Sequence, residues 1–143
     1  MCIRDRVDVE RWQGVAAAVL SGEGAHGECY VGFVGEEEIT ELNQQHMGKP
    51  GPTDVLSFPI EAQTQPGVPR MIGDIVVCPT VARRQAKDHD WSTDSEIALL
   101  VVHGALHLLG HDHAEADERN AMQALEAKYL AQFGYEHKVF NDA

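Results

Sequence analysis

Basic residues are scarce in this chain: Lys plus Arg number 11 against 23 Asp plus Glu, a net charge of −12. A field of that sign repels polyanions, so nonspecific nucleic-acid binding is disfavoured, and an RNA substrate would need local groups that overcome it. Cysteine is also rare. Cys2, Cys29 and Cys78 lie far apart and form no CxxC pair. That odd, scattered set argues against a disulfide framework and fits a reducing compartment. No stretch reaches the ~18–20 continuous apolar residues of a membrane helix. The opening Met1-Cys-Ile-Arg-Asp-Arg6 is too polar for a signal peptide. The expectation is a cytoplasmic protein with no membrane partner. Internal repeats and low-complexity tracts are absent too, which leaves one compact unit.

The 143 residues suit a single domain spanning 1–143. A chain of this length buries roughly 68–70% of its unfolded surface and needs no staples. Val9 to Leu20 reads as a short helix with Val15, Ala18 and Val19 on its apolar side. Cys29 to Val34 reads as a strand. Gly35 opens a helix whose first turn holds Glu36, Glu37 and Glu38, where the dipole favours acids. Ile39 and Leu42 give it an inward face, and Gly48 ends it. Pro52 to Pro59 contains a strand framed by prolines, which suits a sheet edge. A loop over 61–70 leads to a second apolar strand, Met71 to Cys78, and a helix from Thr80 to Asp88 follows.

Thr93 and Glu96 have capping-box spacing, and behind them Ile97 to Leu109 is apolar almost all round. Such a helix belongs at the centre of a fold. Gly110 is its expected left-handed stop. Ala114 to Phe133 forms an amphipathic helix with Met122, Leu125, Tyr129 and Phe133 as its stripe. The fold class is α+β: a small mixed sheet packed on a central buried helix, with helices around it.

Four of the eight histidines fall within residues 103–113. His103 and His107 stand four apart on the buried helix and project from one face. Gly110 lets the chain turn back, so His113 can reach the same point from another direction. Three nitrogen ligands leave one tetrahedral position open, as in catalytic zinc sites. A lone histidine in an apolar helix is usually a satisfied core residue. The full pattern H-x-x-x-H-x-x-G-x-x-H, however, arises by chance at this composition in roughly 2 sequences per thousand. The sequence therefore points to one zinc per chain, held by His103, His107 and His113. His111 is the competitor for the third position, and Cys78 a remote fourth ligand. Asp112 serves either to orient an imidazole or to cap the next helix.

The spacing is that of metzincin proteases, which carry Glu directly after the first His as general base. Here that position is Gly104, which cannot move a proton, and no Met-turn follows. Peptide hydrolysis is disfavoured.

His103-Gly-Ala-Leu-His-Leu-Leu-Gly-His-Asp-His113, Pro52-Thr-Asp-Val-Leu-Ser-Phe-Pro59 and Gly73-Asp-Ile-Val-Val77 occur in the order found in one family. In these blocks, which with their connecting helices span roughly residues 30–133, the chain resembles the YbeY-type endoribonucleases, or rRNA maturation factors. The resemblance implies an α+β fold and one zinc on the three histidines. It also implies single-strand-specific cleavage of RNA in ribosomal RNA maturation and ribosome quality control, with small ribosomal subunit components as partners. Two features depart from the family. Met47 stands where many members carry Arg, and residues 1–6 match nothing in the strand with which members open, as a truncated or foreign start would.

Arg70, Arg83, Arg84 and Lys87 are candidate phosphate contacts, set against the simpler account of solvated surface. Thr53, Asp54 and Ser57 are candidate cleft residues, set against a plain solvent-facing strand. No general base stands out. A noncatalytic ribosome-assembly factor with a structural metal and a general metallohydrolase remain the alternatives.

Overall fold

A computed structural model of the chain describes residues 8–60, 70–111 and 115–137. Residues 1–6, most of the loop expected over 61–70, and the sites Asp112 and His113 thus lie outside the described residues.

The elements run α1 (Val9–Gly22), β1 (Glu28–Phe33), α2 (Glu36–Met47), β2 (Val55–Pro59), β3 (Met71–Val77), α3 (Pro79–Asp88), α4 (Thr93–Leu108) and α5 (Ala116–Gln132). The three strands form a mixed sheet in the order β1-β3-β2. β1 runs parallel to β3, with Val31 beside Ile75, and β2 runs antiparallel to it, with Ser57 beside Ile75. The α+β architecture is the one expected from the alternation of elements. The proline-framed strand sits at an edge, where a missing N–H costs no ladder bond.

α1 starts at Asp8, whose carboxylate caps the Arg11 N–H at 3.2 Å. Its buried residues Trp12, Val15, Ala16, Val19 and Leu20 follow the helical period, so one stripe faces inward. From the same helix, Gln13 pairs with the outer edge of β1. Its Oε1 accepts from the Val31 N–H at 2.9 Å, and its amide donates to the Cys29 carbonyl. A side chain thereby fills ladder positions at a sheet edge.

α4 is the central element and packs against α1, α3, α5, β2 and β3. Ile97, Ala98, Val101, Val102, Ala105 and Leu106 are all buried in the main core. Each fully buried Val, Leu or Ile contributes about 1.5–3 kcal/mol. A smaller core on the other side of the sheet gathers Ile39, Leu56, Cys78 and Val81.

Local expectations failed in two places. The N-cap of α4 is Ser92, whose hydroxyl accepts from the Ser95 N–H at 3.0 Å, not Thr93. Glu96 takes no part in a capping box because it points inward, 1% exposed, and accepts hydrogen bonds from Trp91 and His89. On α5 the stripe is Met122, Glu126, Tyr129 and Leu130, while Phe133 is 41% exposed. Phe133 follows the last helical turn, so the helical period no longer aims it inward. Among the described residues no helix is long and apolar enough to cross a membrane.

Candidate metal centre

α4 holds His103 and His107 on one face near its C-terminal end. The turn beyond is a Schellman motif. Gly110, at φ 94°, donates to the His107 carbonyl at 3.0 Å, and His111 donates to the Leu106 carbonyl at 3.1 Å. The positive φ is why glycine occupies the stop and why the chain can double back.

The two imidazoles meet edge to face with ring centroids 4.5 Å apart, and their Nε2 atoms lie 3.0 Å apart. Two ring nitrogens so close share either a proton or a cation. Ligand nitrogens at ~2.0–2.1 Å from a tetrahedral zinc stand roughly 3.3 Å apart, close to the spacing seen.

His103 also has its Nδ1 2.6 Å from Glu126 Oε2. A carboxylate only accepts, so Nδ1 carries the proton and Nε2 is the nitrogen that His103 turns towards His107. That is the tautomer a metal ligand needs. The other oxygen of Glu126 lies 3.2 Å from His137 Nε2. Burial alone would push the Glu126 carboxyl up. Hydrogen bonds and charge from His103, then His137, outweigh it and hold the group below its usual value. The donor set and its orientation therefore fit a divalent transition metal.

The third expected ligand, His113, and Asp112 lie outside the described residues. Among the described residues no group of three or more His, Cys, Asp or Glu is placed to hold a metal ion. His111, the competitor, points instead towards Glu23, with Nε2 3.5 Å from Oε1. Glu23 also accepts from the Tyr129 hydroxyl at 2.5 Å. Burial first, then that carboxylate, push the Tyr129 hydroxyl up to about 12. Cys78 is fully buried at the start of α3 within the smaller core.

Gly104 has a role beyond the lack of a protease base. A Cβ there would stand 2.9 Å from Ile75 Cγ2 and 3.1 Å from Ser57 Oγ. Its carbonyl accepts from the Ser57 hydroxyl at 3.0 Å. α4 is thus pressed against β2 and β3 directly beside His103, and a glutamate would not fit without moving the helix. Ser57 is half-buried against α4, so the solvent-facing account of this strand is wrong for it. Asp54 likewise turns back on the chain, with Oδ1 2.8 Å from the Val55 N–H and 3.3 Å from the Thr53 hydroxyl.

Of the candidate phosphate contacts, Arg70, Arg83, Arg84 and Lys87 are all exposed, and Arg84 pairs with Glu36 at 2.7 Å. Met47 is exposed in the last turn of α2. Sequence reasoning missed Glu126 and His137. The signal for Glu126 was available: an acid four residues after Met122 and three before Tyr129 lies on the apolar stripe.

A family model described as endoribonuclease YbeY matches residues 4–134. A Thermobifida fusca protein named endoribonuclease YbeY is 44% identical over 132 residues, covering 87% of this chain and 84% of its own. A Coxiella burnetii protein of the same name is 37% identical over 131 residues, covering 91% and 85%. Among solved structures, the solution structure of TM1509 from Thermotoga maritima superposes with a TM-score of 0.58 at 28% identity, covering 87% of this chain and 83% of that one.

Proposed function

We infer the activity from two premises: the chain belongs to the endoribonuclease YbeY family, and its central helix presents two imidazole nitrogens to one point. It is a metal-dependent hydrolase that cleaves single-stranded RNA endonucleolytically. The observation that carries this is the His103–His107 pair, with Nε2 atoms 3.0 Å apart and the His103 tautomer held by a buried carboxylate.

His103, His107 and His113 hold one zinc ion per chain. When bound there, the metal supplies Lewis-acid polarisation of a phosphoryl oxygen and makes water nucleophilic near neutral pH. The chain's own residues set the geometry. α4 fixes the spacing of two ligands, the Gly110 turn ends the helix directly beyond them, and the Ser57–Gly104 hydrogen bond anchors the helix to the sheet. Gly104 leaves no room for the glutamate that a peptidase would use, which favours a phosphodiester over a peptide.

The substrate is ribosomal RNA, cleaved during its maturation and in ribosome quality control, and small ribosomal subunit components are the partners. With a net charge of −12, association with RNA leans on such partners and on local groups more than on the global field. Buried, unpaired Cys29 and Cys78 suit the reducing cytoplasm. The whole chain works as one metallohydrolase domain.

Elemental analysis of the purified protein, with single-stranded RNA cleavage assayed before and after chelation, tests this. The expected result is about one zinc per chain and cleavage that is lost on chelation and restored by Zn²⁺. Bound zinc with no cleavage of any RNA would replace the enzyme by a structural-metal assembly factor. Cleavage that persists without metal would overturn the mechanism.

A further inference from the structure

Glu126 lies on the inward stripe of α5, 6% exposed, among Met122, Tyr129 and Leu130. A buried carboxylate in that setting is expensive, and an apolar residue of similar volume would pack there at lower cost. Both of its oxygens are engaged: Oε2 with His103 Nδ1 at 2.6 Å and Oε1 with His137 Nε2 at 3.2 Å. The first contact joins α5 to α4, and the second joins α5 to the segment that follows it. Each partner side chain is largely sheltered, His103 at 28% and His137 at 12% exposure.

We propose that Glu126 is a positioning residue for the metal centre, with His137 as the group that holds Glu126 in place. The inference rests on the metal-centre reading above and extends it from the ligands to the residues that orient them. Accepting from Nδ1, Glu126 fixes the ring of His103 and the tautomer in which Nε2 is the ligating nitrogen. His137 occupies the second oxygen, so the carboxylate cannot rotate away. The segment that follows α5 is in this way tied to the C-terminal half of α4.

The test compares two variants of nearly equal volume, Glu126→Gln and Glu126→Met, in the full-length protein. Only the first keeps an oxygen that can accept from Nδ1–H. Zinc affinity is read by competition with a chelating indicator, and folding by circular dichroism. Outer-shell partners typically contribute ten- to hundredfold in metal affinity. The expected result is Zn²⁺ bound about tenfold or more weakly by the Met variant than by the Gln variant, with both folded. Equal affinity in the two would overturn the inference while leaving the metal centre standing. Wild-type protein that binds no Zn²⁺ would sink the metal centre and the inference with it. If the Met variant does not fold, imidazole nitrogen shifts in the wild-type protein decide. A proton on Nδ1 of His103 is expected, and a proton on Nε2 instead would overturn the proposal.

Discussion

Two buried glutamates, Glu96 at the start of α4 and Glu126 on α5, make almost the same contact with a histidine. Glu96 Oε1 lies 2.7 Å from His89 Nδ1 and Glu126 Oε2 lies 2.6 Å from His103 Nδ1. Each has a second donor, Trp91 Nε1 at 2.7 Å in the first case and His137 Nε2 at 3.2 Å in the second. The difference lies in where the contacts lead. At Glu96 both donors converge on one oxygen and come from the short connection between α3 and α4, with the rings of His89 and Trp91 packed edge to face. That arrangement closes a corner of the fold. At Glu126 the histidine sits within α4, and its far nitrogen faces that of His107. A buried carboxylate–imidazole contact is therefore no sign of a metal centre by itself. The second imidazole one turn along is what marks the candidate centre.

The comparison can be broken at either end, and the largest effect is expected at the ligands. His107→Ala should abolish zinc retention and RNA cleavage, with losses beyond the ten- to hundredfold typical of outer-shell partners. Elemental analysis and a cleavage assay read both, and retained cleavage with no bound metal would refute the mechanism. Glu96→Ala should do the opposite. It removes the buried acceptor that His89 and Trp91 share, so unfolding in urea should show a loss of about 2–3 kcal/mol. Zinc affinity should stay at the wild-type level, and a fall in affinity would erase the distinction between the two glutamates.

Gly104→Ala tests whether the sheet holds α4 in position beside His103. The new Cβ would meet Ile75 and Ser57 at 2.9 and 3.1 Å, an overpacking expected to cost about 1–3 kcal/mol. Cleavage should fall along with stability, because the helix that moves carries His103 and His107, the two proposed ligands. A stable, fully active variant would remove the role given to the close approach.

The smallest effect is alkaline. Burial first, then Asp74, push the Cys29 thiol from 9.0 up to about 11. The folded protein holds this proton where the unfolded chain has released it, so its contribution is complete below pH 9 and is lost as pH rises through 11. Stability measured across that window should fall as the thiol ionises. Cys29→Ala should flatten that part of the profile, and an unchanged profile would rule the thiol out as its source. Since Cys29 lies on β1, away from the histidine pair, zinc binding by the variant should be unaffected.

Much of the fold was legible in the residues. The apolar run after Ile97, the acids of the first turn of α2 and the stop at Gly110 all located helices whose local chemistry is strong. The strand pair β2–β3 followed from β-rich runs between prolines. Capping at α4 was misplaced by one residue. Ser92 and Thr93 both carry a capping hydroxyl, and the folded chain gives the bond with the Ser95 N–H to Ser92 while Glu96 turns inward. The histidine pair was legible because helical spacing alone puts positions four apart on one face. Glu126 showed only as an acid on the apolar stripe of α5, and its pairing with His103 did not show, since nothing in the spacing from 103 to 126 says that α5 lies across α4.

What the sequence by itself determined is local and periodic: helix and strand, an inward face for each, two histidines on one face and a glycine turn behind them. Which groups converge on those histidines was decided only by tertiary packing. The Nδ1 proton of His103, the burial of Glu126 and the steric need for Gly104 each depend on a partner more than twenty residues away. Hydrogen bonds and close packing act through space over a few ångströms, whereas periodicity acts along the chain, so the first can be read only once the second has folded.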